Sequence, residues 1–405
     1  MKNQREVKNR LCFVPFFCLL AVMLMMPVKV SAHQPGDVVM GSWGRVAGTY
    51  NAQGQIVLNV YTEKYKQVSH PHVNSNALDA LCGNDQPKTI VIPAGSTVEL
   101  ENIFHIGSNT TIIADGATLV MKEAGKGIIN NRPDAVNYQA LENVRIQGGT
   151  WKTDDQSRSY SVMRFAHGNN LTIENATVVA NYESHAIELI AMKNVVVRHC
   201  KLLMQGNKKK NSVEEALQID IASPKTAPGL VQFGSRYVQG QTCKNIQILN
   251  NEIEGSRGVC ANYAGQEGKK YKNKFHDKIT IIGNKMTGYS AEGCVIYNTY
   301  NAVVKNNVIK TFSTRKKKSY AVGFNVTLQG KAPKKQMKKA RLLIEGNTIY
   351  GIRQGMQLVT MSGSKYKAVT VRNNHCYAPK KKNALVLNKN AASRIKQSNN
   401  QSHKR

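Results

Sequence analysis

The chain runs to 405 residues, with 56 Lys and Arg against 25 Asp and Glu, a formal charge of +31. That length admits one large domain or two medium ones, and the charge favours a polyanionic partner. Nucleic acid is not expected as that partner, because aromatic residues are not interleaved with the basic runs as they are in single-strand binders.

Residues 1–32 read as a secretory signal peptide. Lys2, Arg5, Lys8 and Arg10 make a basic start, Leu11 to Met26 is apolar, and Val30-Ser31-Ala32 is a small-residue cleavage site. A single membrane anchor is the competing reading, but the apolar run is short and contains Pro15. No later stretch is long and apolar enough to span a bilayer. A secreted, extracellular monomer without a stable membrane span is therefore expected. Cleavage would remove five basic residues and one acidic residue, leaving 51 against 24, or +27. Six cysteines would remain, Cys82, Cys200, Cys243, Cys260, Cys294 and Cys376, with no CxxC and no metal-ligand spacing. Export permits disulfides, so bridges and single buried thiols both stay open.

Residues 33–88 mix Gly, Asn and Pro with short strand-like runs, and 76–81 reads as a short helix. This region is expected to cap the end of something longer. Thr89 to Leu100 then reads strand, turn, strand around Ile92-Pro93-Ala94-Gly95. From there one phrase recurs: apolar-x-apolar, a short Asn or Gly turn, then x-apolar. It occupies 111–119, 144–151, 171–178, 195–202, 246–253, 279–286, 303–309, 343–349 and 369–376. A third strand-like run follows each phrase, at 162–166, 186–191, 216–222, 258–262, 293–297, 321–326, 355–359 and 384–387.

A period of about two dozen residues means a solenoid. Three alternating strands per repeat give three faces around one apolar interior. The expected fold is all-β: a single-stranded parallel β-helix with three strands per coil over 89–397, then a disordered polar tail over 398–405. Asn251, Asn284, Asn307, Asn347 and Asn374 fall in one column at the first turn. Amides stacked about 4.8 Å apart can hydrogen-bond along the axis, so that column is structural.

These repeats, the Ile-Pro-Ala-Gly strand and the asparagine column resemble the right-handed parallel β-helix proteins of the pectate lyase-like superfamily. The resemblance covers roughly residues 85–400. It implies the right-handed coil and a secreted, carbohydrate-active protein. The superfamily spans lyases, hydrolases, epimerases, tailspikes and non-catalytic surface proteins, so fold alone does not choose among them. The chain lacks the Asn-Thr-Asp and paired Asp-Asp of polygalacturonases and the Asp-Pro-His-Gly of alginate epimerases.

The third strands, aligned on Ala186, Ala216, Gly258, Gly293, Ala321 and Gly355, give two outward columns. One is Arg164, Glu188, Gln218, Cys260, Val295, Gly323, Gln357; the other is Ile190, Asp220, Asn262, Tyr297, Asn325. Glu188 and Asp220 should share one face on adjacent rungs, with Cβ atoms about 8 Å apart by strand rise and rung spacing. Such a pair suits the acid and base of an inverting glycosidase. The cofactor is left unknown, with Ca²⁺ possible on these carboxylates with Gln218 or Asn262 as oxygen ligands; no dedicated metal-ligand set is assigned. His185 and Glu215 precede the small residue and can face either way; His185 is a candidate acid/base because its pKa lies near neutrality. The candidate catalytic residues are thus Glu188, Asp220, His185 and Glu215, and the substrate-binding candidates are Arg164, Gln218, Asn262 and Tyr297.

Among superfamily lyases, a cation or Arg neutralises the substrate uronate; Arg164 fits that role by resemblance. The competing reading is a solvated ion-pair ladder. The insertion 223–241 is expected to wall the site. Lys208-Lys209-Lys210 and Arg315-Lys316-Lys317-Lys318 precede third strands, while Lys269, Lys270, Lys272, Lys274 and Lys331, Lys334, Lys335, Lys338, Lys339 follow them. Basic ridges on both sides would steer in an acidic polysaccharide. Cleavage of a uronic-acid-containing polysaccharide by β-elimination or hydrolysis is the leading expectation, with non-catalytic binding of acidic glycans as the alternative.

Overall fold

A computed structural model describes residues 33–62, 72–154, 160–207, 212–265, 267–314 and 318–405. The expected signal peptide and the runs Lys208-Lys209-Lys210 and Arg315-Lys316-Lys317 lie outside the described residues. Gln34–Arg405 forms one unit. Its strands fall into three sheets of 14, 11 and 10 strands, here called I, II and III. In the coiled part each strand pairs in parallel with the equivalent strand of the next coil, and the chain visits I, II and III in turn. This is the right-handed parallel β-helix that the repeats predict, in the hand that parallel crossovers take.

The stacking follows from one alternation repeated in register. Ile112, Ile146, Ile173, Val197, Ile248, Ile281, Val304, Ile344 and Val371 pair rung to rung in sheet I, all with no solvent exposure. β-branched side chains suit this surface. The first strands, Val38–Met40 and Val46–Tyr50, are antiparallel, and the helix Val73–Cys82 buries Ala77, Leu78 and Leu81 in the core. All six cysteines after position 32 are buried free thiols. Among the described residues no helix is long and apolar enough to cross a membrane.

The turn between sheets I and II carries the asparagine column. Asn251, Asn284, Asn307, Asn347 and Asn374 each donate Nδ2–H to the Oδ1 of the next amide, at 2.9–3.0 Å. The residue before each is Asn or Gly at positive φ (Asn250 +55°, Gly283 +72°, Asn306 +55°, Gly346 +66°, Asn373 +56°), the conformation those residues tolerate best. The ladder ends on Asn400, in the segment expected to be disordered. That expectation fails: Gln401–Lys404 forms a strand paired with His375–Ala378. Its polar sequence hides a rung held by backbone pairing and one amide.

Sheet III also corrects the alignment. Gly323, not Ala321, is the equivalent of Gly293 and Gly355; Phe324 pairs with Cys294 and Met356, and Asn325 with Val295 and Gln357. Asn325 therefore stands in the Glu188 column and Thr327 beside Tyr297. A Cβ at Gly293 would lie 2.5 Å from the Lys310 carbonyl oxygen, and one at Gly323 2.7 Å from that of Tyr350. On these later rungs the corner has no room for a Cβ, although Ala186 and Ala216 occupy it earlier in the coil, and Ala321 two residues before Gly323 was a false marker.

Candidate active site on the outer face of sheet III

The rungs Met163–Ala166, Ile187–Ile190, Glu215–Asp220, Arg257–Ala261 and Cys294–Tyr297 set the site. Arg164 pairs with Glu188, Glu188 with Gln218, and Ile190 with Asp220. Leu189, Ile219 and Phe165 belong to the core, so the alternate residues face out, as expected. Facing out does not mean wet. Glu188 and Gln218 are 7% exposed and Asp220 has no exposure at all.

The insertion 223–241 is the cover, and here the expected wall is corrected to a strap. It leaves and rejoins the coil through the antiparallel bridge Ala222–Gln241. Ala227, Leu230, Tyr237 and Val238 pack on Ala166, Ile190, Ala191 and Ala222, a second apolar cluster outside the coil. Gly229 lies on the Arg164 guanidinium so closely that a Cβ there would stand 2.4 Å from Nη1. His167 Nε2 lies 2.8 Å from the Tyr237 carbonyl oxygen, fixing the far end.

Two groups of charges lie on this face. In the first, His185 sits between Glu214 (Nε2–Oε2 3.1 Å) and Glu215 (Nδ1 to the backbone oxygen 2.8 Å). Burial alone would lower the His185 pKa, but the Glu214 hydrogen bond and the charges of Glu215, Glu188 and Glu214 outweigh it and push it up to about 10. His185 is therefore a held cation, not the neutral-pH acid/base the sequence suggested. Glu215 faces the same cluster and binds Arg257 (2.5 Å), which also binds Glu292 (2.9 Å). Burial raises the Glu215 pKa, with Arg257 and His185 pulling it down. Its oxygens are occupied, which makes it a partner of Arg257 rather than a free catalytic carboxylate. Asn325 extends this chain by donating to Glu292 at 3.3 Å.

The second group is Glu188 and Asp220. Glu188 accepts a hydrogen bond from the Ser161 hydroxyl. Among the described residues, both oxygens of Asp220 and the Oε1 of Gln218 lack a partner in hydrogen-bond geometry. Burial, then the charges of Glu188 and Glu215, push the Asp220 carboxyl well above its ordinary range, and Asn262 offsets this only in part. A carboxyl so placed holds a proton or a cation. Asp220, Glu188 and Gln218 are all oxygen donors, the kind Ca²⁺ takes, and would be the residues to hold it. Among the described residues, His185, Glu214 and Glu215 bring ligand atoms within 4.8 Å of one another, and a metal there would have to displace the proton that the two carboxylates favour on His185.

Asn262 accepts its own neighbour's N–H, from Tyr263, and Tyr297 packs on the Tyr263 ring at 4.7 Å between centroids. These two border the Asp220 end, while Arg164 borders the Glu188 end beneath the strap. The sequence reading missed Arg257, Glu292, Ser161 and Glu214. Arg257 and Glu292 precede Gly258 and Gly293 just as His185 and Glu215 precede Ala186 and Ala216, so the signal was a column followed for only two rungs.

Comparison with protein-family models and with curated protein sequences finds no match. Among solved structures, the chain is similar to PfbA, a surface adhesin of Streptococcus pneumoniae (15% identity, 81% of this chain and 86% of that chain, TM-score 0.46). It is also similar to a mannuronan C-5 epimerase module of Azotobacter vinelandii (12%, 82% and 91%, 0.45) and a family 28 exopolygalacturonase of Yersinia enterocolitica (13%, 87% and 82%, 0.42). Likeness at this level carries nothing about the chemistry of the site.

Proposed function

We propose that this chain is a secreted carbohydrate-active β-helix protein that cleaves an acidic, uronic-acid-containing polysaccharide on the outer face of sheet III, and that the cleavage is hydrolytic. The observation that carries this reading is Asp220: a fully buried carboxyl with neither oxygen in good hydrogen-bond geometry with a described residue, and its pKa pushed up although Asn262 stands beside it. Buried acids without partners cost stability and are expected where chemistry uses them.

A carboxyl whose pKa is raised by burial favours its protonated form, so Asp220 takes the role of general acid toward the glycosidic oxygen. Glu188, about 8 Å away between Cβ atoms by rung and strand spacing, takes the role of base for water, the partner role in an inverting pair. Elimination fits less well, since it needs a base at the uronate C5. His185 is protonated and Arg257 is held between two carboxylates. Arg164 lies beside Glu188 to meet the substrate carboxylate, and the strap must lift for it to do so.

The second reading is binding of acidic glycans without chemistry. The strap packed on Ile190 and Arg164 and the burial of Asp220 favour it, because that carboxyl is closed off as it stands.

The test is incubation with polygalacturonate, alginate, glycosaminoglycans and a bacterial glucuronan. Reducing ends report hydrolysis, and ultraviolet absorbance of an unsaturated uronate reports elimination. New reducing ends without that absorbance are expected, reduced about 10²–10⁴-fold in Glu188→Gln and Asp220→Asn. Binding with neither product removes the enzyme reading; full activity in both variants removes this site.

A further inference from the structure

Sheet I carries a trough of about 480 Å³ on its outer face, toward the C-terminal end. Its floor is the outward column Thr280, Val303, Leu343 and Thr370, paired rung to rung and half-buried. On the rungs before it the same column holds Arg145, Thr172, Val196 and Gln247, and on the rung after it Lys396. The apolar stretch is thus short and bounded by polar side chains.

A second irregularity falls at the same place. At the turn from sheet III to sheet I, Asn109, Asn143, Asn170, Asn194 and Asn245 occupy successive rungs at φ +53° to +59°, linked mostly side chain to side chain. The next rung replaces Asn with Lys278, at φ +56°, a backbone conformation that lysine rarely takes. Two rungs further along the column stands Arg341, about 9.6 Å on by rung spacing. Both are exposed and line the trough. Lys278 makes no ion pair among the described residues, and the Arg341 guanidinium reaches only the Lys339 carbonyl oxygen. The segment leading into Arg341 adds Lys334, Lys335, Lys338 and Lys339.

We infer that this trough is an accessory binding site for the acidic polysaccharide, separate from the face that carries Glu188 and Asp220. The inference rests on the acidic-polysaccharide reading above. Val303 and Leu343 take the apolar face of sugar rings, and Lys278 and Arg341 meet carboxylates two rungs apart. A chain held here leaves toward the corner that bears the strap and the lysine loops, because those loops join sheet III to sheet I. The trough would thereby anchor a long substrate without touching the reacting bond, as multivalent attachment requires.

The experiment is gel electrophoresis through polygalacturonate and through alginate, comparing wild type with Lys278→Glu/Arg341→Glu. Lys381→Glu/Lys382→Glu, at an exposed turn elsewhere on the coil, makes the same charge change and serves as control. Leu343→Ser tests the floor without altering charge. The expected result is about tenfold weaker binding in the trough double variant, a smaller loss in Leu343→Ser, near wild-type binding in the control, and unchanged binding in Glu188→Gln. Equal loss in trough and control variants, or no retardation of the wild type, overturns the inference. Retardation through the trough with no product released leaves it standing and removes the cleavage reading. Product release with no trough-dependent retardation does the reverse.

Discussion

On sheet I, Glu174 bridges Arg145 and Arg198 on neighbouring rungs, with Arg198 Nε at 2.7 Å. On sheet III, Arg257 bridges Glu215 and Glu292 in the same way. The residue types and the ladder geometry match, and the consequences differ. Arg145 and Arg198 are 49% and 45% exposed, and their bonds hold the Glu174 pKa below its ordinary value although burial of the carboxylate opposes them. Arg257 is 7% exposed, and Glu215 is pushed up despite its arginine. Pairing alone does not set the protonation chemistry of a rung; the cover above it does. The Arg257 group on sheet III is buried, while the arginines of the Glu174 group on sheet I stay half in water.

The largest effect expected from this contrast is on stability. Arg257→Leu would strand Glu215 and Glu292 as buried, unpaired carboxylates, at a cost of about 3–5 kcal/mol. Arg198→Ala would cost less than about 1 kcal/mol, since Arg198 is itself half in water and Glu174 keeps Arg145. Urea unfolding of both variants checks this, and similar costs would break the comparison. A smaller effect is expected in the amide ladders. Asn307 lies in the buried one, donating to Asn347 and to the Ile281 carbonyl oxygen. Its replacement by Ala should cost about 1–3 kcal/mol. Asn143→Gly in the exposed ladder, which keeps the φ of +57° unstrained, should cost a fraction of that, because water replaces the lost bond.

The same contrast explains what was legible in the sequence. The coil was, because alternation and Asn-Gly turns repeat in every rung and each error would flip a strand. The outward placement of Glu188, Asp220 and Arg164 followed from that alternation. The Asn325 misplacement arose where two small residues, Ala321 and Gly323, competed for one corner and only backbone crowding distinguishes them. The last rung was missed because Ser398 to Arg405 has no apolar residue to announce a strand, and only Asn400 carried the column. His185 was misjudged for a different reason. Its state depends on Glu214 and on burial beneath neighbouring loops, and neither is written in its own rung.

The smallest and most diagnostic effect is the sign of a pH dependence. Glu174 has a folded pKa below its ordinary 4.5, so its contribution to stability is present above that value and is lost as pH falls. Asp220 has a folded pKa above its ordinary 3.8, so its contribution is present below that value and is lost as pH rises toward the folded pKa. Replacing each by its amide should therefore give opposite slopes. Relative to wild type, Glu174→Gln should be least damaging in acid and progressively more so toward neutrality. Asp220→Asn should gain on wild type as pH rises above the ordinary carboxylate value of 3.8, as the wild type alone must keep a buried proton or accept a buried charge. Melting temperatures of Glu174→Gln from about pH 5 down into acid, and of Asp220→Asn from about pH 4 upward, read the two slopes. Parallel slopes would mean that Asp220 ionises like a surface carboxylate, and the proton donor proposed for this face would be lost with it.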